Sequence, residues 1–449
     1  TERLIYTLDF VFKERGLSYE LTSDRQEFLS AVQPRFNYSD QDFEGVPHLR
    51  PSTMLFDTEL IVYGIESDKF EKEDCLKISG RIEPLAGIFY VLSRMEEYSS
   101  TIEDEHGRFP SNNSILNRFG WLDKVVCDRW AVAFLRFLAQ NGLIEFVNHK
   151  TEVNIRPTFD IDNAYAYQLK FGWRRWMSVA RDILKGDKFR IVERKLVLKG
   201  SSKDPYDTYD YILSIAKRGF QVNMFWLLGD YAKYDKNISF KNIRHQRLIR
   251  KMNRTTTVGI HPSYKSNSYE FYLLNEKERL EVILNNMVEH SRQHFLKLKI
   301  PLTYPSISSM GIKHDYTMGY AEQYGFRAGT ARPFKWFDLT KNKVSDLTIH
   351  PFAYMDGTLN EYMNLSPEEA KERITKLYHE VERFGGEFVF IWHNETIGDY
   401  GKWKGWQAVL EHTLALKNTT HEYENCTYCG SFATIGNRTW SIRCSRIKG

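Results

Sequence analysis

From residue 151 onward the chain alternates short apolar runs with amphipathic stretches of helical period, and this alternation restricts the fold more than any other feature. The runs are V-N-I-R-P-T-F (153–159), V-N-M-F-W-L-L (222–228), T-T-V-G-I (256–260), D-L-T-I-H-P-F (346–352) and E-F-V-F-I-W (387–392). Near-continuous apolarity over so few residues reads as a strand covered on both faces. Strand–helix alternation over about 250 residues predicts a parallel α/β sheet or barrel. The helix before the last run is the most legible. Ser366 is a natural N-cap, Pro367 takes the first helical position, Glu369 completes a capping box and Gly385 ends the helix. N-E-K-E at 275–278 is read as opening another helix in the same way.

Before residue 150 the texture differs. Helical patterns run through I-F-Y-V-L-S-R-M-E-E-Y (88–98) and from Asp128 to Gly142, separated by the turn-rich stretch D-E-H-G-R-F-P-S-N-N-S (104–114). The expected organisation is an N-terminal α/β domain over 1–150, the strand–helix unit over 151–415 and an extension over 416–449. Lys plus Arg exceed Asp plus Glu by 62 − 58 = 4 with no basic block, which argues against a nucleic-acid surface. The most apolar windows, 85–92 and 388–392, fall far short of the ~20 residues a membrane span needs. No leader is legible at the N-terminus, and the five cysteines are too few and uneven for a disulfide framework. A reducing, cytoplasmic setting is therefore expected.

In parallel α/β folds, chemistry gathers at the C-terminal ends of strands. Asp160 and Asp162, Asp230, His261, and His393 with Asn394 all stand just after the apolar runs. In T-F-D-I-D-N (158–163) the two carboxylates share a face on an extended chain, and they repel unless a cation or proton relieves them; a solvated strand end would look the same. His261, in G-I-H-P-S-Y, is either a metal ligand or a histidine bonded to backbone. S-R-Q-H-F offers Arg292 and His294 on one face, and His393 at the mouth of a buried strand suits a general acid or a satisfied structural histidine. Arg327 could orient a carboxylate or sugar, or serve as an ion-pair partner like Arg332. Asp315 could bond substrate hydroxyls, support a ligand or be a buried structural acid. Cys426, Cys429 and Cys444, with His421, could form a structural zinc knot or be ordinary buried cysteines.

Taken in order, T-F-D-I-D, then G-I-H-P, then S-R-Q-H-F, then F-V-F-I-W-H-N resemble the motifs of the polysaccharide deacetylase (NodB-homology) superfamily, carbohydrate esterase family four. The pattern S-R-M-E-E-Y…H-G-R-F…F-G-W-L-D (93–123) is also similar to an uncharacterised domain that precedes such deacetylases in Bacteroidota-type bacteria. The resemblance covers most of residues 85–410. It implies a distorted (β/α) barrel of about seven parallel strands, with Asp160 as general base, Asp162 and His261 as metal ligands and His393 as general acid. The family's H-[S/T]-x-x-H motif lacks its second histidine, because position 265 is Lys. His294 is the expected replacement ligand, with His314 as rival, and Arg292 would hold Asp160.

The implied activity is removal of N-acetyl groups from a carbohydrate with a divalent metal, most readily zinc. Asp315, Arg327 and Asn394 are candidates to bind substrate or support the site, in a glycan-assembly step of the bacterial surface. Lys265 favours one other reading, a decayed barrel that only binds sugar, and the fold alone leaves open a second, a metal-dependent hydrolase of another ester or amide.

Overall fold

The computed structural model describes residues 1–146, 153–170, 172–184, 186–418 and 443–444. Nine strands form one curled sheet: β1 Val153–Ile161, β2 Asn223–Trp226, β3 Thr257–Ile260, β4 His290–Ser291, β5 His314–Asp315, β6 Phe334–Asp338, β7 Lys343–Ile349, β8 Phe352–Met355 and β9 Gly386–His393. Their spatial order is β6-β7-β5-β4-β3-β2-β1-β9-β8. Every neighbouring pair is parallel except the β6–β7 hairpin. The sheet ends on β6 and β8, so it is an open half-barrel: a distorted version of the expected barrel. The run 346–352 is not one strand. Pro351 cannot donate to a ladder, and the chain breaks there into β7 and β8, which lie in different parts of the sheet.

Both faces of the sheet are buried. Phe388, Phe390 and Trp392 of β9 join the main core, whereas Val389 and Ile391 join a second cluster with Phe225, Tyr316 and Phe352. That alternation explains why the strand sequences read as continuous apolar runs. Gly259 of β3 is required by close packing, since a Cβ there would lie 2.7 Å from the His290 carbonyl oxygen and 2.8 Å from the Phe225 ring.

The helix Pro367–Phe384 carries the expected cap: Ser366 accepts from the Glu369 amide, Glu369 accepts from the Ser366 amide at 2.9 Å, and Gly385 follows the last turn. The N-E-K-E reading is corrected. The helix there spans Glu270–Leu284, and Asn275 lies inside it, bonding back to the Phe271 carbonyl at 2.6 Å. A side chain satisfied within the helix no longer signals its start.

The N-terminal residues contribute the helices Glu2–Phe12, Pro84–Leu92 and Val126–Gln140, with an antiparallel sheet of Ile65–Phe70, Glu73–Ile78 and Arg81–Ile82. They share one continuous core with the half-barrel. Tyr6 packs on Phe337 at 5.2 Å between ring centroids and donates to the Lys335 carbonyl at 2.9 Å. Gly329 (φ 61°) passes so close that a Cβ would meet Val126 at 2.7 Å and Val91 at 2.8 Å. Buried ion pairs tie the two regions. Glu97 accepts from Arg94 at 2.8 Å and Arg327 at 2.5 Å, and Asp128 from Arg15 at 2.9 Å and Arg332 at 2.8 Å.

Cys75 and Cys127 are buried free thiols. His421, Cys426 and Cys429 lie outside the described residues, and Cys444 enters only through backbone pairing with Leu21. No described helix is long and apolar enough to cross a membrane.

Candidate metal centre and catalytic cleft

The C-terminal strand ends open onto a cleft of about 440 Å³ whose lining includes Asp160, Asp162, His261, His294 and His393. Strand pairing explains the assembly. His393 of β9 sits opposite Asp160 of β1, Ile161 opposite Trp226 of β2, Trp226 opposite Ile260 of β3, and Ile260 opposite Ser291 of β4. The residues just past these positions are therefore neighbours in space although more than 200 residues separate the first from the last.

At the centre, Asp162 Oδ1 lies 3.2 Å from His261 Nε2 and 3.5 Å from His294 Nε2. These atoms form the cluster of three ligands found among the described residues. Their protonation is set from behind. His261 Nδ1 donates to the Arg292 carbonyl at 2.6 Å, and His294 Nδ1 donates to Asp235 Oδ1 at 2.9 Å. A carbonyl or carboxylate oxygen can only accept, so each Nδ1 carries the hydrogen and each ring turns its Nε2 inward. Asp162 Oδ1 is itself buried without a hydrogen-bond donor. Two ring nitrogens and a carboxylate oxygen converging on one point fit a cation, and two imidazoles with a carboxylate suit zinc. A proton on His294 answers the same concentration of negative charge that a cation would answer. Burial opposes its protonation, but Asp162 and then Asp235 outweigh burial and lift its pKa to about 9.

Two further groups flank this centre. Asp160, 2% exposed, accepts from Arg292 Nη1 at 2.9 Å through Oδ1 and holds Oδ2 3.8 Å from His261 Nε2. Opposite it, His393 Nε2 lies 3.9 Å from Asp162 Oδ2, while Nδ1 donates to Asp356 Oδ1 at 2.9 Å. Asp356 also accepts from the His393 amide at 2.9 Å and from Thr396 Oγ1 at 2.5 Å, so the ring is clamped. Burial opposes the charged ring, but Asp356, Asp162 and Asp160 together raise the His393 pKa well above the usual histidine range.

Other expected residues lie elsewhere. Arg327 does not line the cleft; it spends its guanidinium on Glu97 and the Gly319 carbonyl. Asp315 is fully buried and accepts from Ser291 and Thr317, behind the cleft wall. Asn394 donates to the Asn163 and Tyr206 carbonyls, steadying a loop whose Tyr206 side chain does line the cleft. Asp230 pairs with Arg279 at 3.1 Å on the surface. His314, the rival ligand, bonds His350 at 3.0 Å and stacks on His290, away from Asp162. Lys265 is exposed, with its ammonium 4.2 Å from the Tyr272 ring centroid.

Asp235, Asp356, Glu395 and Arg108 escaped the sequence reading. Asp356 follows β8 as the other acids follow their strands, and merging β8 into the run 346–352 hid it. Burial, with Asp162 nearby, keeps the Glu395 carboxyl above its usual range in the cleft wall.

The first 142 residues match a family of unknown function (DUF7033). No curated protein matches the chain. Among solved structures, the chain is similar to a protein from Mycobacterium smegmatis described as a polysaccharide deacetylase (14% identity, TM-score 0.37, 60% of this chain and 87% of that one). It is also similar to an allantoinase (13% identity, TM-score 0.38, 62% and 90%) and to a polysaccharide deacetylase from Bacillus cereus (10% identity, TM-score 0.28, 59% and 88%).

Proposed function

We propose that the chain is a metal-dependent hydrolase that removes N-acetyl groups from a carbohydrate. The observation that carries this reading is the three-ligand cluster of Asp162, His261 and His294, with a clamped carboxylate on one flank and a charged imidazole on the other. A divalent cation held there supplies Lewis acidity toward the amide carbonyl and its attacking water.

The chain's own residues perform the remaining steps. Asp160 Oδ2, free of Arg292, takes the proton from water as its oxygen bonds to the carbonyl carbon. His393 gives its Nε2 proton to the amide nitrogen as the C–N bond breaks, so the amine leaves neutral and acetate remains. Asp356 keeps that ring charged and aimed. Asp162 stays anionic: despite burial, His294, His261 and His393 hold its pKa well below the usual carboxylate range. The decayed-barrel reading rested on Lys265; the convergence of His294 with Asp162 and His261 supports a ligand set that does not need a histidine at 265.

Acetate release from N-acetylated oligosaccharides tests the proposal. Release that stops on chelation and returns with zinc supports it. A zinc-loaded protein that releases no acetate but hydrolyses another amide or an ester would keep the hydrolase and remove the substrate class.

A further inference from the structure

His294 is followed by the one pair of adjacent non-glycine residues with positive φ among the described residues. The two residues after it, Phe295 (φ 60°) and Leu296 (φ 51°), are both left-handed and neither is glycine. Such a pair persists only where its surroundings over-determine it. Part of that determination comes from the N-terminal region. Arg108 Nη1 donates to the Phe295 carbonyl at 2.8 Å, while its Nε donates to Asp104 Oδ2 at 2.6 Å. The His106 ring packs on Phe295 at 4.9 Å and on Tyr264 at 5.8 Å between centroids. Asp104 Oδ1 accepts from the His106 and Arg108 amides at 2.9 Å each, so the 104–108 loop is braced internally before it meets the half-barrel. Arg108 is 7% exposed and reaches the cleft lining.

We infer that the 104–108 loop positions the metal centre. By fixing the Phe295 carbonyl, Arg108 holds the left-handed turn that aims His294 Nε2 at Asp162. The N-terminal region, which matches a family of unknown function, thereby supports a ligand set whose side chains all belong to the half-barrel. This rests on the metal-site reading above. Arg108 is a positioning residue: without its donor the turn relaxes toward ordinary backbone, and His294 swings off the point where Asp162 and His261 converge.

The test is titration of the full chain with Co²⁺, followed by visible absorption, alongside thermal unfolding. The inference predicts that Arg108→Met weakens Co²⁺ affinity about 10- to 100-fold, as loss of an outer support does at other metal sites, and alters the absorption bands. Arg108→Lys keeps one donor and falls between. Asp104→Asn, which loosens Arg108 without touching the turn, shifts affinity in the same direction; should Arg108→Met fail to fold, these two carry the comparison. Arg129→Met is the control, because Arg129 bonds Glu73 and Glu380, neither of which lines the cleft. It is expected to lower the unfolding midpoint while affinity and bands stay as in the wild type.

Arg108 variants that bind Co²⁺ like the wild type overturn the inference and leave the hydrolase reading standing. An equal affinity loss in Arg129→Met also overturns it, since the effect would then be general loosening. A wild-type protein that takes up no Co²⁺ overturns both.

Discussion

Arg292 Nη1 donates to Asp160 Oδ1 at 2.9 Å, which leaves Oδ2 of the same carboxylate turned toward His261 Nε2 at 3.8 Å. One oxygen is fixed and the other is available, the arrangement a general base requires. Asp160→Asn keeps an oxygen for Arg292 and removes the basic electron pair. Turnover should fall about 10²- to 10⁴-fold with bound zinc unchanged. Acetate release and metal content, measured on the same sample, check this; full activity in the variant would remove Asp160 as the base.

Asp356 makes a prediction about pH. His393 must carry its proton to act as acid, so activity declines as pH rises through its pKa, which the surrounding carboxylates hold above the usual range. Asp356→Asn removes the first of these charges, and loss of an adjacent opposite charge lowers a pKa by about 1–3 units. The basic limb of the kcat/KM profile should move to lower pH by at least about one unit. A limb that stays in place argues that another group donates the proton.

Arg327 is expected to matter for stability and not for chemistry. With Arg94 it neutralises Glu97, a carboxylate 5% exposed. Removing one partner of a buried ion pair costs about 3–5 kcal/mol, because the remaining charge stays desolvated. Arg327→Met should therefore lower the unfolding free energy by that amount in urea while zinc affinity holds. Loss of affinity at unchanged stability would return Arg327 to the site.

Glu83 gives the fold its own pH dependence. Its carboxyl is fully buried, accepting from the Ser52 amide at 2.6 Å and from Tyr38, and burial pushes its pKa up to about 8. An unfolded glutamate titrates near 4.3. Between these values the folded chain holds a proton that the unfolded chain releases. This group's contribution is therefore full below about pH 4 and declines by about 1.4 kcal/mol per pH unit as pH rises toward 8. Glu83→Gln should remove that slope, so stability relative to the wild type improves from pH 5 to pH 8. Parallel stability curves for the two proteins would contradict it.

What the sequence revealed was local, and what it hid depended on the tertiary arrangement. The 367–384 helix was legible to the residue because its caps lie within the segment itself. The strand-end rule found Asp160, Asp162, His261 and His393 because a parallel sheet places such residues at one end. It missed Asp356 when Pro351 concealed a strand break. It chose Asp230 over Asp235 because nothing in L-L-G-D-Y-A-K-Y-D says which loop acid folds back to His294. Arg327 and Arg108 were beyond reach in opposite ways. The Glu97 carboxylate that occupies Arg327 and the turn that Arg108 braces lie about 230 and 190 residues away along the chain.

The central claim is that one cation binds between Asp162, His261 and His294. A crystal structure of the zinc-loaded protein, with the ion located by anomalous scattering, tests it most directly. A single ion about 2.0–2.2 Å from one oxygen of Asp162 and from Nε2 of both histidines is the predicted result. An ion that leaves His294 uncoordinated, or no ion there at saturating zinc, would contradict it.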